Sequence, residues 1–351
     1  MPILQDFTRA QNSVNGRDLV GAIIRVQESL PQRRQIRNGA AIVLVLVMAV
    51  ACTALRAAQA ESPQPFKQPG QFTLVKDWTF GRSRSDATVR NREELDHEFY
   101  YRYIYDGGKL DGLPTYWSYH RDYPDGDPRS LHVLGDRTLT LKGRIPPGGG
   151  LWPRGIESGM LRAKIPVTPG MYIEMRAKLP YGLGAWPAFW LNSGVENADG
   201  TFSALGWPPE IDIFEFFNWQ GRDRTRVLTG NVQTNGQPEK YGHPHDLWTV
   251  FKKGEYNPGI DFSSDFHVFA LDWRNDAPVW LLDGKPIKQT YYEWHAPAAH
   301  ILITDQIGMV LPGVNLLGMT ADESQWDYVI DYLRVWQVPT SPLSPTDIAV
   351  R

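Results

Sequence analysis

One cysteine, Cys52, stands in 351 residues, so an internal disulfide framework is excluded. No Cys/His cluster has zinc-ligand spacing, and no glycine-rich phosphate loop opens a helix. An excess of either charge is missing too. The net charge is −3 and the pI about 6.3, which leaves no broad basic surface for nucleic acid. There are no internal repeats, and from Gln71 onward no long segment carries a helical hydrophobic period. What abounds is aromatic and turn-forming: 13 Trp, 15 Tyr and 14 Phe accompany 32 Gly and 27 Pro. Aromatic side chains suit pleated, half-buried surfaces, and Gly and Pro punctuate turns. A sandwich core accounts for about half of the Trp.

Residues 1–38 form a basic leader with six arginines against three acids. Next comes an uncharged apolar stretch, Gly39 to Leu55, at the lower length limit for a membrane-spanning helix. The basic flank lies only before it, which puts the N-terminus inside and the rest outside. Residues 39–60 therefore read as a secretory signal ending at Ala58-Gln59-Ala60, as an uncleaved anchor through 39–55, or as a lipoprotein-like site at Cys52. On each reading the chain is exported, to the periplasm or the exterior, and meets a membrane only through this segment. Residues 61–70 are a Pro-rich linker, 71–340 the main domain and 341–351 a tail. The main domain shows short alternating strands separated by turns, as in an all-β sandwich of two antiparallel sheets. In Met171 to Ala177, Ile173 and Met175 share one face and Tyr172, Glu174 and Arg176 the other. Val279 to Leu282, followed by Asp283-Gly284, predicts a two-residue hairpin. Val329 to Trp336 makes a final strand.

The chemistry concentrates in Glu210-Ile211-Asp212-Ile213-Phe214-Glu215. In a regular strand Glu210 and Asp212 share a face, and Glu215, five positions from Glu210, falls on the other. A bulge near Ile213-Phe214 would return Glu215 to the face of the other two. A row of acids is costly for a structural surface, because like charges repel. Glycoside hydrolysis with retention needs two close carboxyl groups. Glu210 would then be the nucleophile and Glu215 the acid and later the base, kept protonated by its charged neighbours. Asp212 would orient Glu210. An acidic stripe on a solvated strand, or a cation site, is the competing reading.

The surroundings resemble glycoside hydrolase family 16. The run YIEMRAKLPYGLGAWPAFWL, Tyr172 to Leu191, is similar to the family's strand and Gly-rich turn leading into WPAFW. Ser158-Gly159, the run Phe266 to Trp273, Asp283-Gly284 and the run Val329 to Val335 resemble further landmarks in order. The bulged Glu-x-Asp-x-x-Glu form resembles the laminarinase-like branch. The resemblance implies a concanavalin A-like β-jelly roll and a retaining endo-glycanase acting on β-1,3-glucan or a related bacterial or algal polysaccharide. It assigns Glu210, Asp212 and Glu215 as nucleophile, helper and acid/base. A non-catalytic carbohydrate-binding module and a transglycosylase of the same fold are the alternatives.

Sugar binding needs flat apolar faces and hydrogen bonds at the ring edges. Trp186, Trp190 and Trp207 are the candidate platforms, each weighed against a packing role. Gln233 stands where many family members carry a His. Arg176 and Glu174 are candidate edge-binding groups, with a salt-bridged strand pair as the simpler account. Phe216-Phe217-Asn218-Trp219 and Thr304-Asp305-Gln306 depart from the family pattern where substrate would lie. His243 and His245 read as loop histidines without a third ligand. No cofactor is required. The resemblance implies a structural Ca²⁺ on the last strand, for which Asp331 matches, against an ordinary strand-end acid. A monomer is expected. Cleavage after Ala60 predicts an exported chain that begins at Glu61, which N-terminal mass spectrometry reads directly. A start at Cys52 selects lipidation, and an intact N-terminus selects the anchor.

Overall fold

The computed structural model describes residues 72–338 except 102–118, 121, 125, 148–155, 194, 197–201, 204–208, 219–224, 235–244, 274–275 and 308–319. The leader, the apolar stretch, the linker, the tail, Trp207 and His243 lie outside the described residues. Among the described residues, no helix is long and apolar enough to cross a membrane.

Two antiparallel sheets face each other across a common core. In the six-stranded sheet the order is Thr229–Gln233, Glu210–Glu215, Ala185–Ser193, Ala299–Ile307, Met160–Val167 and Phe99–Tyr100. The second sheet has nine strands. Its centre is Val279–Leu282, His267–Trp273, Met171–Lys178 and Tyr328–Gln337, and Thr73–Thr79 adds to the last of these. The expected all-β sandwich is what the chain forms. A short α-helix, Arg92–Glu98, is capped by Asn91, whose side chain accepts the Glu94 N–H at 2.9 Å.

Alternation of side chains explains which face each strand buries. Ile173 and Met175 are fully buried in the main core, while Tyr172, Glu174 and Arg176 lie on the opposite face of the nine-stranded sheet, where Tyr172 and Glu174 are themselves buried and Tyr172 joins a smaller apolar cluster. The expected hairpin forms between Leu282 and Lys285. Asp283 and Gly284 both take positive φ, +49° and +76°, as a type I′ turn requires. His245 opens a strand, His245–Thr249, rather than sitting in a loop, and its side chain is exposed.

The sheets are joined by aromatic packing. Phe214 and Phe216, on either side of Glu215, meet Phe269 of the other sheet at ring distances of 4.3 and 6.4 Å. Phe262 closes the cluster 5.0 Å from Phe216. Phe216, a departure from the family pattern, thus points into the core, where its ring fills space between the sheets. Because Phe269 bridges the sheets in this cluster, Phe269→Ala should lower unfolding stability by about 3–5 kcal/mol in a denaturant titration. A loss below about 1 kcal/mol would place the inter-sheet contact elsewhere.

Candidate active site

The ladder fixes which way the acids point. Glu215 lies opposite Ala188, Asp212 opposite Trp190 and Glu210 opposite Asn192, and the register shifts at Phe189/Trp190. Ala188, Trp190 and Asn192 alternate by two and so share a face; their three partners must share it as well. On the other side the register also shifts, between Asp212 and Glu215. The expected bulge is therefore present. It turns both Ile213 and Phe214 into the core, where each is nearly or fully buried.

Each carboxylate has its own partner. Asn192 donates through Nδ2 to Glu210 Oε2 at 3.1 Å. Gln233, opposite Glu210 in the ladder, donates through Nε2 to Asp212 Oδ2 at 3.2 Å. The Trp186 indole N–H donates to Glu215 Oε1 at 3.1 Å, and its ring packs 5.0 Å from Phe217. Burial pushes the Asp212 carboxyl up to about 7, opposed by the Gln233 bond and by the charge of Lys288. Glu215 rises well above the usual carboxylate range, chiefly through burial and then through the charges of Asp212 and Glu210; the Trp186 bond opposes this. A protonated Glu215 beside an ionisable Glu210 is the pairing that acid-assisted displacement at an acetal needs.

Trp190 shares the face of the acids but is buried, with Met160, Ala188 and Leu302 around it and Tyr100 packed against them. Its N–H donates to Thr304 Oγ1 at 3.2 Å, so it forms floor beneath the acids' row rather than an open platform. Asn218, another departure, donates to the carbonyls of Tyr181 and Gly182 at 2.6 and 2.8 Å and ties down the turn that leads into Trp186.

Arg176 is not with the acids. It projects from the nine-stranded sheet, pairs with Asp331 and lies 4.6 Å from the Phe266 ring. Glu174 stands on the same face of that sheet and accepts the Tyr332 hydroxyl at 3.3 Å. Asp331 itself is held by two guanidinium groups, those of Arg84 and Arg176, one on each carboxylate oxygen. A carboxylate neutralised in this way does not fit a Ca²⁺ site, which needs converging oxygens of uncompensated charge. Among the described residues, no group of three or more His, Cys, Asp or Glu gathers to hold a metal.

The model of glycosyl hydrolases family 16 matches residues 140–331, more than half of the chain and inclusive of all three acids. The chain belongs to this family. Among curated relatives, a glucan endo-1,3-beta-glucosidase of Cryptopygus antarcticus is 41% identical over 114 residues, 32% of this chain and 36% of that protein. Glucan endo-1,3-beta-glucosidase A1 of Niallia circulans is 34% identical over 132 residues, 36% of this chain and 17% of that protein. The chain thus spans about a third or less of these relatives. The solved endo-beta-1,3-glucanase of Pyrococcus furiosus shares the fold, with a TM-score of 0.52 at 23% identity over 79% of this chain and 98% of that one.

Asn192 escaped the sequence reading, although the alternation Trp186, Ala188, Trp190 carries straight on to it. The raised acids have a measurable consequence. A carboxyl protonated more readily in the folded than in the unfolded chain costs stability as pH rises from about 4 to about 7, because the unfolded chain releases its proton first. Asp212→Asn should therefore melt about 2 °C or more above wild type at pH 8. The difference should vanish at pH 4 and below. Equal melting at pH 8 would contradict the burial of the ionised group.

Proposed function

We propose that this domain is a retaining endo-β-glycanase that cleaves β-1,3-linked glucan or a closely related polysaccharide. The observation that carries the reading is the bulge that puts Glu210, Asp212 and Glu215 on one face, where burial and the neighbouring charges push the Glu215 carboxyl well above the usual carboxylate range. The first step follows from that arrangement. Glu215 gives its proton to the glycosidic oxygen while the Glu210 carboxylate attacks the anomeric carbon. The aglycone chain leaves, and a glycosyl ester forms on Glu210. Glu215, now a carboxylate, takes a proton from water, and that water's oxygen displaces Glu210 with net retention. Asn192 keeps Glu210 oriented for attack, and Asp212 supplies the negative charge that returns the proton to Glu215.

The named relatives favour a β-1,3-glucan, and the ring of Trp186 beside Glu215 is suited to stacking on a sugar bound across the acids. Gln233 offers an amide edge at the same place, which suits hydroxyl recognition. Export of this domain, by the N-terminal segment, would bring it to an extracellular polymer. The domain should release reducing oligosaccharides from laminarin in a panel that includes mixed-linkage glucan, agarose, carrageenan and exopolysaccharide. Glu210→Gln and Glu215→Gln should each lower kcat on the preferred polymer by about 10²–10⁴-fold. Wild-type turnover by the double variant would end the mechanism, and binding without product across the panel would mark a carbohydrate-binding module instead.

A further inference from the structure

Two side chains of the nine-stranded sheet cross the sandwich and bond to the backbone behind the acids. The Trp280 indole N–H donates to the carbonyl of Asp212 at 2.8 Å. Lys288, paired with Trp280 across the hairpin, donates through Nζ to the carbonyl of Gly230 at 2.8 Å. Both side chains belong to buried residues, 0% and 7% exposed. The bonded carbonyls frame the irregular stretch of the ladder. Asp212 is the last acid-strand residue in register before the shift, and Gly230 sits opposite the shifted pair Ile213-Phe214.

An ammonium in such a place is expensive, and an apolar residue could fill the same space. Its surroundings account for the charge. Besides Gly230, Lys288 Nζ lies 3.4 Å from Asp246 Oδ1, and 5.5 and 5.3 Å from the rings of Phe251 and Trp280. Burial lowers the Lys288 pKa, while the charge of Asp246 and its hydrogen bond to Lys288, followed by the charge of Asp212, oppose that shift. The charged groups that face the ammonium are thus Asp246 from the neighbouring strand and Asp212 from the acid strand. Gly230 belongs to the same device: a Cβ there would come within 3.0 Å of the Trp280 ring, so glycine lets the indole lie against this strand.

We propose that Trp280 and Lys288 are positioning residues for the acids: they clamp the backbone on both sides of the bulge, and Lys288 fixes a positive charge beneath Asp212. The proposal rests on reading Glu210 and Glu215 as the hydrolytic pair. Its chemical consequence concerns one proton. The ammonium favours ionised Asp212, and ionised Asp212 holds the proton on Glu215, where cleavage needs it. Without that charge Asp212 competes for the proton, and the acids as a group ionise at higher pH.

The test compares Lys288→Met, Lys288→Arg and Trp280→Phe with wild type, and uses the exposed Lys285→Met as a control on the same strand. Lys288→Met should lower kcat about tenfold or more with KM changed less than about twofold. It should also move both limbs of the pH–rate profile upward by about one unit. Lys288→Arg should keep the profile near wild type, and Lys285→Met should change neither measure. Trp280→Phe keeps the ring in the core but loses the bond to Asp212, so kcat should fall without an upward move of the limbs. The Asp212 and Glu215 carboxyls can also be titrated directly by ¹³C NMR, with the same upward shift expected in Lys288→Met alone. A Lys288→Met protein that melts earlier yet titrates like wild type would overturn the proposal and leave Lys288 a structural residue. Should Lys288→Met fail to fold, an unchanged kcat in Trp280→Phe overturns the clamp. If wild type cleaves nothing in the substrate panel, the hydrolase reading has failed, and the carboxyl titration alone decides the role of Lys288.

Discussion

An extra residue in the acid strand, at Ile213-Phe214, converts a spacing of five into a shared face and breaks the ladder to do so. Both consequences run through the rest of the domain. The doubled inward turn sends Ile213 and Phe214 together into the core, where Phe214 meets Phe189, Phe216 and Phe269. The broken ladder leaves backbone carbonyls that the second sheet takes up through Trp280 and Lys288. The core and the site are thus built around one irregularity. Its packing is what prevents the strand from relaxing to a regular register that would bury Glu215 on the wrong side.

The cost of the site is electrostatic. Three acids on one face, with Asp212 only 3% exposed, oppose folding whenever they ionise. The structure offsets this with hydrogen-bond donors at each carboxylate: Asn192 at Glu210, Gln233 at Asp212 and Trp186 at Glu215. A cation bonded directly to Glu215 would strip its proton and defeat acid catalysis. Placing the positive charge behind the strand, at Lys288, moderates the cluster without discharging the acid.

Much of this was legible in residue order. Alternation showed which residues of Met171 to Ala177 share a face, and the spacing of Glu210 and Glu215 demanded the bulge that the ladder contains. Alternation does not say which sheet a strand joins. The Gly-rich turn at 180–184 carries the chain from one sheet to the other, so Arg176 lies with Asp331 on the far surface although it stands only ten residues before Trp186. Trp190 had the right face and the wrong exposure, because Tyr100, ninety residues earlier, packs against the cluster that holds it. Lys288 and Trp280 were invisible for a like reason. They lie some seventy residues beyond the acids, and only sheet-to-sheet stacking brings them to the bulge.

The double displacement is tested most directly by trapping its intermediate. Incubation with an activated 2-deoxy-2-fluoro β-glycoside of the preferred oligosaccharide, followed by peptide mass spectrometry, locates the glycosyl ester. A single adduct on the peptide that carries Glu210, mapped to that residue, is the expected result. An adduct on Glu215, or turnover of the natural polymer with inversion and no adduct, would contradict it.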